Sequence, residues 1–501
     1  MTGGTATAPA TAPPSGEFIR GIGPIAAISL VVGSMIGSGI FIVSAGISQQ
    51  VAGWGPGGLM LVWVITGLMT LAGALAYAEL AAMMPRAGGQ YVFLREGLNP
   101  LAGFLYGWTL FTVIQSGTIA AVGVAFAKYL GVFFPSLTDA VFLSLGSLHL
   151  PGASAAIPIG VSPQRVVAIV SVLVLTAVNV RGVALGSRLQ TLLTGVKLVA
   201  LTALIVLGIV VFRRADVAAA NFHGFWGTQP WTFAMLPVVG AAMVGSLFSS
   251  DAWNNVTFAA AEVREPARNL PRALAIGTGL VSGLYLLANI AYLNVLPFAG
   301  DPHGTTALAR GLQFAAQERV GSAAVEVMLG AAGGAVMAAA IVVSTFGCNA
   351  GLILAGPRVY YAMARDGLFF ARAGELHPAF RTPVFGLLTQ AVWTSVLCLS
   401  GTYNQLLDYV IFAALLFYLL TTIALFRLRR LRPDLPRPVR AFGYPVLPAL
   451  YMVAIAVLMV VLLIEKPLFT WPGLVIVGLG VPVFLLWRSG GVGRGAVRRA
   501  P

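Results

Sequence analysis

Charge is what this chain has least of. Only 9% of its 501 residues are Asp, Glu, Lys or Arg, against 58% apolar. Soluble domains carry about a quarter charged residues, so a soluble globule is excluded and a polytopic membrane protein is expected. Cysteine is nearly absent: Cys348 and Cys398 both lie in apolar runs, which gives no disulfide framework and no redox compartment. The four histidines, His149, His223, His303 and His377, fall in the connections between apolar runs and do not pair at helical spacing. No metal site and no cofactor are expected. Residues 1–20 are rich in Ala, Thr, Pro and Gly and lack the basic-then-apolar order of a signal peptide; they are read as a disordered cytoplasmic tail. The net charge of +14 is scattered among short loops rather than gathered with aromatics, so nucleic acid is not an expected partner.

What the chain does have is length of apolar sequence. Runs at about 22–51, 56–82, 98–134, 165–180, 189–212, 233–261, 272–298, 322–357, 384–400, 405–426, 445–464 and 469–487 give twelve candidate spans, a bilayer crossing taking about 20 residues of helix. The fold class expected is all-α. Threaded this way, 22 of the 30 Lys and Arg fall on one side, 7 on the other, and Lys197 alone lies inside a span. The richer side is expected to be cytoplasmic and to hold both termini, including a tail at 489–501 that carries Arg494, Arg498 and Arg499.

The first span is interrupted. Gly33-Ser34-Met35-Ile36-Gly37-Ser38-Gly39-Ile40-Phe41 places three glycines and two serines in mid-run, each glycine costing a helix about 1 kcal/mol relative to alanine. A break in hydrocarbon is tolerated only where it lines a cavity or is buried in protein. It offers free N–H groups at one half-helix and free carbonyls at the other, suited to a carboxylate and an ammonium. Close helix packing by small residues is the alternative use of the same glycines. The sixth span repeats the feature at residues 245–254, Gly-Ser-Leu-Phe-Ser-Ser-Asp-Ala-Trp-Asn. Two interrupted spans five apart is the pattern of a transporter built from inverted repeats. The expected repeats are 21–212 (spans 1 to 5) and 231–428 (spans 6 to 10), with spans 11 and 12 at 441–488 appended.

Few side chains inside the spans can carry chemistry. An ammonium at Lys197 costs several kcal/mol unless hydrogen-bonded, so it is read as a fixed charge on the broken first helix or as a proton carrier; snorkelling to an interface is the plainer use. Asp251 is either a cation or proton site or the N-cap of the half-helix that follows, the cap being preferred. Phe248 could close over a ligand or simply pack. Glu79, Glu96 and Glu262 suit ion pairs or solvated loops equally well. Ser344 and Thr345 can bond back to their own helix. Nothing here assembles a nucleophile, base or metal constellation, so an enzyme is not expected. A channel would need a continuous polar file.

The motif at 33–41, with Pro85-Arg86-Ala87-Gly88-Gly89-Gln90-Tyr91, Asn269-Leu270-Pro271-Arg272-Ala273, Arg381-Thr382-Pro383-Val384 and Arg437-Pro438-Val439-Arg440, resembles the amino acid-polyamine-organocation superfamily, most closely its L-type amino acid transporter branch. The resemblance covers residues 20–488. It implies a LeuT-like five-plus-five inverted repeat with discontinuous helices 1 and 6. It implies that amides around Ser38 and Gly39 take the substrate carboxylate and that carbonyls of Met35, Ile36, Phe248 and Ser249 take its amine; Gly37, Asp251 and Asn254 are further substrate-binding candidates. Phe248 matches the outer-gate aromatic, and Lys197 the lysine that replaces a sodium site, bridging helix 1 near Gly37 to helix 8 near Ser344. Members that pair with a glycoprotein do so through a cysteine between helices 3 and 4; residues 132–164 have none, so no disulfide-linked heavy subunit is expected. The function expected is sodium-independent transport of neutral L-amino acids across the cytoplasmic membrane, by exchange or proton coupling. A cationic amino acid or polyamine permease is the alternative, and a non-transporting membrane sensor the rival of another class.

Overall fold

The computed structural model describes residues 18–148, 157–400 and 403–489. Most of both expected tails, with His149 and part of the cysteine-free 132–164 loop, lies outside these residues. Ten helices among the described residues are long and apolar enough to cross a membrane, and two shorter apolar helices span Phe233–Ser249 and Val384–Ser400. The protein is a mostly helical polytopic membrane protein. Several helices start on a proline at the first turn, where no amide is needed: Pro24, Pro56, Pro100, Pro163 and Pro266. Two of these starts are capped by the residue before, with Asn99 accepting from the Ala102 amide at 2.8 Å and Ser162 from the Arg165 amide at 3.2 Å.

The two interrupted stretches sit at the centre. Helix Pro24–Met35 packs on Pro266–Val295, Val183–Val206 and Val320–Arg365, and its continuation Val43–Gln50 packs on Leu236–Ser249. Glycine permits the closest approaches. A Cβ on Gly39 would lie 2.0 Å from Ser249 Oγ and 2.9 Å from Ser249 Cα, whereas one on Gly46 would meet nothing.

Three features depart from the reading of the sequence. The chain is not purely helical: Leu143–Leu148 and Ile157–Val161 pair antiparallel, Leu143 opposite Val161, with a bulge between Ser144 and Gly146. The eighth apolar run continues to Arg365 and is kinked at Gly330, whose φ of 76° only glycine takes readily. His223 ends a short helix, Ala215–His223, rather than lying in a loop.

The acidic residues read as equally suited to solvent are resolved differently. Glu262 and Arg358 form an ion pair at 2.7 Å with both side chains 1% exposed. Glu79, fully buried, accepts from Arg429 at 2.5 Å and from the Ala441 amide at 2.7 Å, and Arg437 lies 3.3 Å away. Each is buried because the fold brings an arginine from a distant helix or loop onto it. Glu96 is exposed and, among the described residues, pairs with the adjacent Arg95. Tyr91 donates to Asp366 at 2.7 Å, and Arg95 pairs with the same carboxylate. At this end Ile22 bridges the chain at Val263, through Ile22 N to Glu262 O and Arg264 N to Ile22 O, both 2.9 Å.

Replacing Arg358 with methionine strands the buried Glu262 carboxylate and is expected to destabilise the fold by about 3–5 kcal/mol, read as a fall in melting temperature of the detergent-solubilised chain; an unchanged melting temperature contradicts the pairing. Gly39→Ala is expected to lower that temperature through the clash with Ser249, while Gly46→Ala holds or raises it. Equal behaviour of the two would show that the close approach is absent.

Candidate functional site

The break in the first stretch runs from the end of helix Pro24–Met35 to the single 3-10 turn Gly39–Phe41 and the restart at Val43. Residues 31–45 are all buried, so its loose carbonyls need partners, and four other segments supply them. Lys197 Nζ donates to Gly33 O at 2.9 Å and Ile36 O at 2.7 Å. Ser344 Oγ reaches Ile36 O at 3.3 Å and Gly37 O at 3.2 Å, and Cys348 Sγ reaches Ser34 O at 3.0 Å. Tyr292 donates to Ile40 O at 3.3 Å and Tyr129 to Phe41 O at 3.1 Å. The amides of Gly39 and Ile40 donate to no backbone carbonyl among the described residues.

The second break lies between Leu236–Ser249 and the short helix Asn255–Phe258. Ala252 takes a φ of 64°, an uncommon conformation for a residue with a Cβ. Phe248, Ser249, Asp251 and Asn254 are all buried, and Asn254 Nδ2 donates to Gln90 Oε1 at 2.7 Å. Tyr285 ties the two breaks together: its hydroxyl lies 3.0 Å from Met35 O and 3.0 Å from Ser249 O. The backbone carbonyls at the ends of both first half-helices therefore converge on one small donor.

Lys197 is 1% exposed, so it does not snorkel to an interface; its ammonium is held in the break. Ser344 shares the Ile36 carbonyl with it, which places the Val320–Arg365 helix against both. Thr345, in contrast, bonds back to Ile341 O at 2.9 Å. The cap preferred for Asp251 is not formed. The N-cap position of Asn255–Phe258 belongs to Asn254 and carries no side-chain cap. Asp251 lies three residues earlier, just past the end of Leu236–Ser249, and its carboxylate turns instead to the hydroxyl of Tyr418, which donates to it. Among the described residues no cation stands within ion-pair distance of it.

Asp251 also lines two small cavities, of about 10 and 20 Å³, shared with Tyr418 and Ala414. Each is about large enough for one water. The site is closed and filled by its own side chains.

Tyr285, Tyr292, Tyr418 and Gln90 were missed in the sequence, since a tyrosine in an apolar run reads as ordinary interior. A signal was there: Tyr285, Asn289 and Tyr292 recur at i, i+4 and i+7, one face of the Pro266–Val295 helix. All three are used, Asn289 accepting from Ser44 at 2.8 Å.

Comparison with known proteins extends over nearly the whole chain. A family model described as amino acid permease matches residues 22–485. The chain is similar to Asc-type amino acid transporter 1 of Mus musculus, 31% identical over 480 residues that cover 93% of this chain and 82% of that one. It is similar to large neutral amino acids transporter small subunit 2 of Homo sapiens, 30% identical over 475 residues, 93% of this chain and 80% of the other. To b(0,+)-type amino acid transporter 1 of Mus musculus it is 28% identical over 460 residues, 90% and 83% of the two. A match of that extent means that the protein belongs to the amino acid permease family and is a transporter rather than an enzyme.

Proposed function

We propose that this protein is a secondary active transporter that moves neutral L-amino acids across the cytoplasmic membrane by sodium-independent alternating access, through exchange or proton coupling. The observation that carries this reading is the convergence of Met35 O and Ser249 O on the Tyr285 hydroxyl. A substrate ammonium, with three donors, competes for those carbonyls and for Ile36 and Phe248 beside them, while the carboxylate takes the amides around Ser38, Gly39 and Ile40. The hydroxyl, with its single proton, then acts as a stand-in donor to one of the two carbonyls at a time between transport cycles, the Gly37 amide also donating to Met35 O at 2.9 Å. Phe248, one residue from Ser249, closes the pocket.

The Lys197 ammonium and the Ser344 hydroxyl already serve the Gly33, Ile36 and Gly37 carbonyls, where a sodium ion would otherwise find oxygen ligands. Coupling to sodium has no role in this reading. The architecture proposed is twelve spans in a five-plus-five inverted repeat, the two shorter apolar helices being the sixth and ninth; the sixth is short because it is broken. Both termini are assigned to the cytoplasm on the 22 of 30 basic residues that share their side. A disulfide-linked partner is not part of the proposal.

A second reading is favoured by one observation: Asp251 is buried beside the pocket with no cation among the described residues. It would suit the cationic side chain of a basic amino acid or polyamine. Competition for uptake into proteoliposomes separates the two. Leucine, alanine or serine displacing labelled substrate better than arginine or putrescine is expected; the reverse order makes Asp251 the selectivity residue and overturns the neutral assignment.

Lys197→Ala removes two charge-assisted hydrogen bonds, each worth about 1.5–3 kcal/mol. It is expected to slow uptake by at least roughly tenfold, with the protein still inserted and monodisperse. Unchanged uptake would reduce Lys197 to a packing residue. Replacing sodium with choline is expected to leave wild-type uptake unchanged, and a loss of uptake on that replacement contradicts the assignment.

A further inference from the structure

A large charged cavity lies away from the breaks. It has a volume of about 480 Å³ and is lined by Lys128, Asp139, Gln164, Gln317, Glu318 and Arg319, among others, at the end of the molecule away from the Ile22–Val263 bridge. That volume is in the range of small-molecule sites. It is lined by two cations and two carboxylates, and one of the carboxylates is already engaged by an arginine outside the lining. Lys128 stands 3.7 Å from Glu318, and Asp139 is engaged by Arg165 at 3.3 Å. Arg319 has no carboxylate partner among the described residues; it donates to Gln317, and its Nε is buried without a hydrogen-bond partner. A half-buried guanidinium left in that condition invites an anion.

Two further observations connect the cavity to the first break. Gln317 and Glu318 both take left-handed backbone, with φ of 51° and 61°, a costly conformation for consecutive residues with side chains. It sets Glu318 at the wall between this cavity and a second, of about 160 Å³, that runs along Ile42–Gln50 and Ala241–Gly245. Arg319 lies within electrostatic reach of Tyr129, whose hydroxyl holds Phe41 O at 3.1 Å. Gly321 seats directly on the Phe41 ring, where a Cβ would come within 2.9 Å of Cδ1.

We propose that this cavity is a second binding site for the substrate zwitterion, a staging site in which Arg319 takes the carboxylate and Glu318 the ammonium before the amino acid passes to the breaks. The assignment rests on the reading of the protein as an amino acid transporter. Its chemistry repeats that of the inner site with side chains in place of backbone groups: cation for carboxylate, carboxylate for ammonium. An ammonium arriving at Glu318 loosens the Lys128 pair, so Lys128 becomes available to the substrate carboxylate beside Arg319. Charged side chains at a partly open cavity also raise the encounter rate with charged ligands.

The test uses the full-length chain and labelled L-leucine. Equilibrium binding to the wild type is expected to give two sites per chain, and Arg319→Gln one, of unchanged affinity. In proteoliposomes Arg319→Gln is expected to raise KM by roughly tenfold at unchanged kcat, and Arg319→Lys to restore most of it. Glu318→Gln is expected to raise KM in the same way. An Arg319→Gln variant with wild-type stoichiometry and KM overturns the proposal, as does a variant whose kcat falls with its melting temperature while KM holds, which marks a structural residue. If the wild type neither binds nor takes up any amino acid, the functional reading itself falls and the staging site with it. Loss of the outer site alone, with inner-site binding intact, separates the two claims.

Discussion

The structure depends on how the loose carbonyls of one broken helix are satisfied where there is no water. Between Gly33 and Phe41 the first stretch gives up its regular bonding in a fully buried setting, and each carbonyl left over would cost several kcal/mol if unpaired. Lys197, Ser344, Cys348, Tyr285, Tyr292 and Tyr129 meet that demand from four directions. Those bonds fix which helices must surround the break. A single lysine head serving two carbonyls, with a serine sharing one of them, locks the first stretch to two neighbours at one point.

Around that point the protein is asymmetric. At the end that holds Ile22 and Val263, buried or partly buried ion pairs join distant segments: Glu262 with Arg358, Glu79 with Arg429, Asp366 with Arg95. The opposite end carries roomy cavities and a guanidinium short of counter-charge. The alternating-access cycle proposed above would need one end held shut by interactions that break together, and a network of ion pairs, each costly to leave half-made, has that character. In that proposal the cavities at the other end would serve the entry route.

Much of the architecture was legible because its cause is written locally. Apolar runs without charge must become helices in lipid, and clustered glycine and serine at 33–39 mark a break wherever the neighbours are. The prolines that open helices, and Lys197 as an intramembrane charge, were visible for the same reason. What was hidden depends on distant partners. Glu79 and Glu262 look like loop carboxylates until Arg429 and Arg358 arrive from residues 350 and 96 positions away in the chain. The cap expected of Asp251 failed because the backbone turns through Ala252 and Asn254 before helix resumes, leaving the carboxylate free to find Tyr418. The paired strands Leu143–Leu148 and Ile157–Val161 hold a Pro and two glycines, a weak strand signal that apolar length elsewhere in the chain overwhelmed.

The central claim is that the paired breaks hold an amino acid by its two charged groups, with Tyr285 yielding its place to the ammonium. Cryo-electron microscopy of the full-length protein in nanodiscs with saturating L-leucine tests it most directly. The account predicts density for the carboxylate within hydrogen-bonding distance of the Gly39 and Ile40 amides, the amine on the Met35 and Ser249 carbonyls, and the Tyr285 hydroxyl displaced from one or both. Leucine bound elsewhere, with Tyr285 still bridging the two breaks, would contradict it.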